Sequence, residues 1–226
     1  MRNVVLSGVI ALALAALGAW WMTSNPGAEN QNAASLLGAA HAQDSDADID
    51  TSLVTEMTMG AEDAPVTLVE YASFTCPHCA SFHKSQLKEL KTEYIDTGKV
   101  RFIYRDVYFD RFGLWAAMVA RCGGPERFFG ISDLIYDQQS DWIGSGQDPV
   151  AITNNLRRIG KVAGLSDEQL DTCLSDADKA QALVAVYQQN AEADGVNSTP
   201  TLIINGEKHG NMPYAELKGI IDGLLP

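Results

Sequence analysis

Residues 70–83 of the chain read EYASFTCPHCASFH, a stretch in which Pro77 and His78 separate Cys76 from Cys79. Two cysteines at this spacing are typical of three kinds of site: a metal clip, a structural disulfide and a redox-active pair of thiols. The three alternatives require different surroundings, so the pattern on either side of the stretch decides between them.

The flanking pattern predicts a βαβ unit. Residues 66–71 (VTLVEY) are a short run rich in β-forming side chains, and apolar residues then recur at helical spacing over residues 77–98. Residues 100–104 predict a second strand, and a strand, helix, strand order of this length implies parallel pairing. Cys76 therefore lies where the first strand passes into the helix.

The rest of the chain is predicted to be helical up to the last strands. Segments with helical spacing follow one another between Gly, Pro and Asp residues, without a strand pattern: 112–122, 125–139, 149–163, 167–174 and 177–194. We interpret them as an all-helical subdomain inserted into an α/β fold over residues 110–195. After it, residues 201–204 predict a strand, Asn205-Gly206 predicts a hairpin turn, and residues 214–225 predict a closing helix.

The N-terminal residues predict export from the cytoplasm. Residues 4–22 are an uncharged, mostly apolar run, and residues 40–42 (AHA) offer a small-x-small cleavage pattern. The run fits an uncleaved membrane anchor and the cleavage pattern fits a signal peptide that is removed, so both alternatives stay open over residues 1–42. In either case the remainder is expected in the periplasm, and the Asp-rich residues 43–53 are expected to form a solvated tether.

The charge balance argues against two classes of partner. The chain carries a formal net charge of −13, and its 16 Lys and Arg residues form no run longer than Arg157-Arg158. Nucleic acid and anionic membrane surfaces would repel such a protein, so neither is expected as a partner. The four cysteines are expected to form two pairs in an oxidising compartment.

Metal binding and a purely structural disulfide both fit the CPHC stretch poorly. Cys76, Cys79 and His83 could be three zinc ligands, but a second Cys or His pair at ligand spacing is missing from the sequence. Haem attachment requires His directly after the second cysteine, and residue 80 is Ala. A disulfide over so short a loop removes little entropy from the unfolded chain. We expect no metal and no cofactor, and a non-catalytic metal-binding or chaperone module is kept as a rival hypothesis.

A redox-active pair has a physical basis at this position. Pro77 suits the first residue of a helix because its missing N–H would have no partner there. Cys76 then sits at the helix N-terminus, where unpaired N–H groups favour a thiolate, and a protonated His78 adds a second positive contribution. Each unit by which the pKa of Cys76 falls stabilises the reduced form by about 1.4 kcal/mol, or about 30 mV. The pair is therefore expected to be an oxidant, with Cys79 as the buried partner.

These features together resemble the DsbA family of periplasmic thiol-disulfide oxidoreductases. The resemblance rests on CPHC after a β run, on the helical block and on STPT at residues 198–201, and it covers roughly residues 54–225. It implies an α/β, thioredoxin-like fold whose two parts, residues 54–109 and 196–226, flank the helical insertion. It also implies that the protein donates disulfides to unfolded or reduced exported proteins and is reoxidised by a quinone-linked membrane partner.

The resemblance implies roles for three further residues. Glu70 occupies the position of a buried acid that relays a proton for Cys79, whereas an edge residue that points to solvent is the alternative. Thr199 and Pro200 correspond to a cis-proline dipeptide that packs against the cysteines and offers its backbone to a substrate strand. Thr before this proline is familiar from isomerases, so an isomerase or reductase of the same fold is the first rival function. No separate dimerisation domain precedes the fold, and we expect a monomer.

Cys122 and Cys173 fall in the helical block, at the ends of two predicted helices. They are either two separate buried thiols or a second disulfide. The resemblance implies the disulfide, because some alphaproteobacterial members carry a non-catalytic bridge there. A bridge would close a loop of about fifty residues, for which chain entropy predicts a stabilisation on the order of 4 kcal/mol.

Overall fold

The computed structural model describes residues 49–145 and 148–226. The predicted anchor or signal peptide lies outside these residues, as does most of the predicted tether. None of the helices in the two described ranges combines the length and the apolar character that crossing a membrane requires.

Five strands form one mixed sheet in the order β1-β3-β2-β4-β5. In chain order they are β1 (Met57–Met59), β2 (Val66–Ala72), β3 (Val100–Asp106), β4 (Thr201–Ile204) and β5 (Glu207–His209). β2 and β3 pair in parallel, as the βαβ pattern predicts, and the other three pairings are antiparallel. Sequence analysis missed β1, because a strand of three residues is too short to show an alternating pattern.

Helices cover the sheet and form the insertion. Within the described ranges they are α1 (Pro77–Lys84), α2 (Gln86–Leu90), α3 (Arg111–Cys122), α4 (Pro125–Asp137), α5 (Gln139–Ile143), α6 (Pro149–Val162), α7 (Asp167–Ser175), α8 (Ala177–Ala193) and α9 (Tyr214–Leu224). The six helices from α3 to α8 all lie between β3 and β4 in the chain. The predicted α/β class with an all-helical insertion is thereby confirmed.

Two helix predictions are wrong in detail. The predicted helix over residues 77–98 is broken at Ser85, which leaves the helical conformation, and it ends in a π-helical turn at Lys91–Ile95. The predicted helix over residues 125–139 ends two residues earlier, at Asp137, and the short helix α5 that follows was not predicted. Apolar spacing continues across a break of one residue, so periodicity does not reveal it.

The end of the predicted tether is packed against the fold. Thr51–Leu53 form a short 3-10 turn that is capped by the side chain of Asp50. Lys179 of α8 donates a hydrogen bond to the carbonyl oxygen of Leu53. The packed part of the chain therefore begins before residue 54, which the charge pattern did not indicate.

The central strand β2 is covered on both faces. Leu68 and Ala72 belong to the main core, whereas Val69 and Tyr71 pack with Ile103 in a second cluster on the opposite face. Double coverage explains why VTLVEY alternates imperfectly, because strands buried on both sides carry apolar residues at nearly every position. The end of β2 is thus a rigid support for the loop that carries Cys76.

A disulfide joins Cys122, at the end of α3, to Cys173 of α7, with 5.8 Å between their Cα atoms. The other end of α3 contacts the loop before Cys76. Asp110, the N-cap residue of α3, accepts a hydrogen bond of 2.7 Å from Oγ1 of Thr75. One helix therefore connects the disulfide to the loop of the CPHC motif.

Replacing both cysteines of this bridge, Cys122→Ala and Cys173→Ala, should lower the free energy of unfolding by about 4 kcal/mol. The reason is that the bridge joins residues 51 apart and so restricts the unfolded chain. Because α3 links the bridge to the loop before Cys76, the redox potential of Cys76 and Cys79 should also shift. Urea unfolding and equilibration with glutathione measure the two effects. A double variant with wild-type stability and potential would contradict both expectations.

Candidate active site

Cys76 is the N-cap residue of α1. Its backbone is extended (φ −83°, ψ 119°), and Pro77 follows as the first helical residue. The turn from β2 is closed by a hydrogen bond of 3.0 Å from the N–H of Cys76 to the carbonyl oxygen of Ser73. The N–H groups in the first turn of a helix have no helical acceptor, so those of His78 and Cys79 are available to the sulfur.

The sulfur of Cys76 is surrounded by hydrogen-bond donors. The thiol of Cys79 contributes most to lowering the pKa of Cys76 from 9.0 to about 5, against the opposing effect of partial burial. The side chain of Thr199 and the backbone N–H groups of Cys79 and His78 add to it. His78 contributes its backbone N–H to the sulfur. The imidazole is exposed, and its predicted positive contribution stays a prediction.

Cys79 has the opposite environment. Its side chain is 0% exposed, and this burial is the main reason why its pKa is raised far above the ordinary value. The hydrogen bond to Cys76 and the negative charge of Glu70 act in the same direction. One sulfur of the pair therefore prefers the thiolate, and its partner prefers the thiol.

Glu70 is fully buried on the face of β2 that contacts the main core. Its Oε2 lies 2.8 Å from Nε2 of His83, a buried residue of α1. The alternative of a solvent-facing Glu70 does not hold in this structure, whereas its role as a proton relay stays a prediction. The contact of His83 with Glu70 was missed, because the sequence suggests only a zinc ligand at this position.

Thr199 lies against the first cysteine, and Pro200 follows it in the chain. The peptide bond between them is cis. In the thiol form, Sγ of Cys76 donates to the carbonyl oxygen of Thr199 over 3.5 Å. The hydroxyl of Thr199 is buried and has no other partner among the described residues, so it is free to donate to the thiolate.

Two side chains from the helical insertion hold the loop in place, and sequence analysis missed both. Gln139, buried at the start of α5, donates from Nε2 to the carbonyl oxygens of Phe74 (2.8 Å) and Cys76 (2.9 Å). Asp110 accepts the hydrogen bond from Thr75 that was described above. No motif marks a polar side chain that binds the backbone of a loop far away in the sequence.

The arrangement suits thiol-disulfide exchange. Cys76 and Cys79 are free thiols one helical turn apart, one of them a stabilised nucleophile and the other a protected thiol. Within the two described ranges, no three His, Cys, Asp or Glu side chains converge as a metal site would require.

Comparisons with known proteins agree with this geometry. The family described as Thioredoxin matches residues 52–223 of the chain. The chain is 33% identical over 168 residues to a protein of Rickettsia bellii that is provisionally named protein-disulfide oxidoreductase. The match covers 74% of this chain and 63% of the relative, so the chain spans less than two thirds of that protein's length.

Two solved structures are similar over most of the described residues. The crystal structure of alpha-DsbA1 from Wolbachia pipientis is 27% identical with a TM-score of 0.70, covering 77% of this chain and 94% of that one. A protein-disulfide isomerase from Novosphingobium aromaticivorans is 26% identical with a TM-score of 0.68, covering 75% of this chain and 97% of that one. The thioredoxin-like fold is thereby confirmed.

The low pKa of Cys76 predicts that the reduced protein responds to pH differently from its disulfide form. A group whose pKa is lower in the folded than in the unfolded state stabilises the fold above its unfolded pKa, and this contribution is lost as the pH falls through the folded pKa. The free energy of unfolding of the reduced protein, relative to the disulfide form, should therefore rise between about pH 5 and the ordinary pKa of a cysteine, about 8.5. Urea unfolding of both forms at a series of pH values measures the difference, and a difference that does not change with pH would contradict it.

Thr199→Val removes the hydroxyl that donates to the thiolate of Cys76 and should raise the pKa of Cys76 by about one pH unit. The reason is that a hydrogen bond to a charged group contributes about 1.5 kcal/mol. The ultraviolet absorbance of the thiolate, followed against pH, measures this value. Thr199→Ser is the matched control, since it keeps the hydroxyl and should titrate close to the wild type. The expectation fails if the Val variant titrates like the wild type, or if Ser behaves like Val.

Proposed function

Because the chain belongs to the thioredoxin family, in its DsbA-like branch, we propose that it is a periplasmic protein-disulfide oxidoreductase. It donates the disulfide between Cys76 and Cys79 to exported proteins as they fold. The observation that carries this proposal is the opposite ionisation of the two sulfurs. A disulfide whose reduced form contains a stabilised thiolate is a strong oxidant.

The reaction consists of two exchanges at sulfur. A substrate thiolate attacks Sγ of Cys76, the bond between the two enzyme sulfurs breaks, and Cys79 leaves with the electron pair and takes up a proton. A second substrate thiolate then attacks the substrate sulfur of the mixed disulfide, and Cys76 leaves as a thiolate. The substrate loses two electrons and gains a disulfide, and the enzyme holds these electrons as a thiolate and a thiol.

The low pKa of Cys76 favours the second exchange in particular. A sulfur whose thiolate is stabilised by neighbouring donors is a good leaving group, so the mixed disulfide resolves toward product. Thr199 lies beside this sulfur, and we assign to Thr199 and Pro200 the backbone contact with the substrate strand. The reduced enzyme is then returned to the disulfide by a quinone-linked membrane protein.

The periplasmic location rests on the apolar and cleavage patterns of residues 1–42, which lie outside the described residues. It is supported by the disulfide between Cys122 and Cys173, since such bridges persist in oxidising compartments. The protein is either released after cleavage or tethered to the inner membrane, and it acts as a monomer.

An isomerase or reductase of the same fold is the second candidate. Thr199 before the cis-proline favours it, and so does the likeness to a structure from Novosphingobium aromaticivorans whose name is protein-disulfide isomerase. Both functions use the same two cysteines. They differ in whether the resting protein carries the disulfide or the two thiols.

The disulfide form of the protein should oxidise a reduced peptide with two cysteines, delivering one disulfide per protein molecule. Cys76→Ser should abolish the transfer, because no disulfide can form at the CPHC motif. The Cys122→Ala, Cys173→Ala variant is the control and should still deliver one disulfide. Mass spectrometry of the acid-quenched peptide counts the product.

Activity on scrambled substrates separates the two candidates. If the reduced protein rearranges a protein with wrong disulfides, while the disulfide form leaves the reduced peptide unchanged, the oxidase proposal is wrong and the isomerase is supported. Failure of both reactions would overturn both candidates.

A further inference from the structure

A shallow groove runs along α1 next to the reactive cysteine. It has a volume of about 400 Å³ and lies between α1 and α5. The residues that line it belong to these two helices and to the break after α1: Pro77, Ala80, Ser81, Lys84, Ser85, Gln139 and Ser140. Pro77 directly follows Cys76, so the groove begins at the reactive residue and continues along the helix.

The groove is held against the loop of the CPHC motif. Gln139, one of its lining residues, donates from Nε2 to the carbonyl oxygen of Cys76 over 2.9 Å. Thr199 approaches the same cysteine at its sulfur, with 3.5 Å between Sγ and the carbonyl oxygen of Thr199. A polypeptide that is joined to Cys76 through its own sulfur therefore has the groove beside it, and the residues that flank its cysteine can extend into the groove.

Lys84 gives the groove a positive charge that the protein leaves unpaired. Its side chain is exposed and has neither an ion pair nor a hydrogen bond among the described residues. Other surface lysines are paired: Lys91, Lys161 and Lys218 lie 2.5, 2.9 and 2.7 Å from carboxylate oxygens. In a chain with a formal net charge of −13, an unpaired ammonium beside the reactive cysteine is a local site for an anion.

The groove itself carries no negative charge, since none of its lining residues is Asp or Glu. Asp137, at the end of α4, lies 4.0 Å from Lys88, and Asp141 of α5 is not a lining residue. Ser81 precedes Lys84 by three residues, so the two side chains lie on the same side of α1, and the hydroxyl of Ser81 has no partner within the described ranges. An ammonium and a hydroxyl both donate hydrogen bonds. The group that fits them best is a carboxylate, which only accepts.

The length of α1 between Cys76 and Lys84 sets the position of this carboxylate in a substrate. A helix rises about 1.5 Å per residue, so the two Cα atoms are about 12 Å apart along the helix axis. The side chain of a helical residue inclines toward the N-terminus, which brings the ammonium of Lys84 closer to Cys76. An extended peptide covers about 3.3 Å per residue. An acidic side chain about three residues from the substrate cysteine would therefore reach Lys84.

We propose that this groove binds an Asp or Glu side chain of the exported substrate, about three residues from the cysteine that attacks Cys76, and that Lys84 is the residue that recognises it. This inference rests on the proposed function and adds a class of substrate to it. The net charge of −13 repels acidic peptides at long range, so the attraction acts only where the substrate meets Lys84. The contact changes which substrate reacts fastest and leaves the exchange at the sulfurs as it is.

The test is the rate constant for disulfide transfer from the disulfide form to reduced two-cysteine peptides, measured below saturation with acid quenching and mass spectrometry. In one pair of peptides, the third residue before both cysteines is Glu or Lys, and in a second pair the third residue after both cysteines is varied. The measured quantity is the rate constant for the Glu peptide divided by that for the Lys peptide. In one of the two pairs, this ratio should be about tenfold lower for Lys84→Glu than for the wild type. Tenfold corresponds to about 1.4 kcal/mol, and four exposed charge pairs share it.

The ratio removes effects that a substitution has on α1 or on the reactivity of Cys76, because these change both rate constants alike. Lys84→Gln should give an intermediate ratio, and it decides the test should Lys84→Glu not fold. Lys99→Glu is the matched control. Lys99 is also exposed, but it precedes β3 at the opposite end of the parallel strands from Cys76, so this variant should keep the wild-type ratio. In 1 M salt the change caused by Lys84→Glu should shrink to less than about threefold, because salt screens exposed charges.

The outcomes separate this inference from the proposed function. If the wild type oxidises none of the peptides, the proposed function fails and the selection of acidic substrates fails with it. If the wild type oxidises them, but the ratio is the same for the Lys84 variants in both pairs of peptides, only the selection is overturned. An equal change of the ratio in Lys99→Glu also overturns it, because the net charge of the protein would then be the cause. A change that persists in 1 M salt has the same consequence, since it would not arise from a contact between exposed charges.

Discussion

The negative charge on the sulfur of Cys76 is the feature on which the rest of the site depends. It is stabilised by the thiol of Cys79 and by donors at the start of α1, and it is unfavourable at the neighbouring sulfur, which is fully buried. This difference sets the direction of disulfide exchange, because Cys76 leaves readily from a mixed disulfide while Cys79 must be protonated when it leaves. A pair of cysteines with equal surroundings would have no such preference.

The stabilising groups come from distant parts of the chain. β2, buried on both faces, ends in the loop that sets Cys76 at the helix N-terminus, and Thr199 reaches the same sulfur from the segment before β4. The helical insertion contributes Gln139 and Asp110, which bind the loop from the other side. The insertion therefore supports the reactive loop, and it also carries the second disulfide at the far end of α3.

Local chemistry could be predicted from the residues themselves. Among the long-range contacts, the Cys122–Cys173 bridge and the approach of Thr199 to Cys76 were expected from the family resemblance, and the others were not predicted. The proline after Cys76 predicts that the sulfur of Cys76 lies at the N-terminus of a helix. Apolar spacing predicts most helices of the insertion. Both predictions depend only on residues that are neighbours in the sequence. The break at Ser85 and the short strand β1 were missed because they change the pattern by too few residues. The pairing of Glu70 with His83, and the contacts of Gln139, depend on which segments meet in space. A glutamate in a strand and a glutamine in a helix carry no sign of such partners.

The ionisation of Cys76 is the measurement that tests this account most directly. The reduced protein would be alkylated with iodoacetamide at a series of pH values, and mass spectrometry would assign the modified residue. The account predicts that the rate at position 76 follows an ionisation with a midpoint at about pH 5. A midpoint near that of an ordinary cysteine, about 8.5, would contradict it, because the helix N-terminus and its donors would then provide no driving force for donating the disulfide.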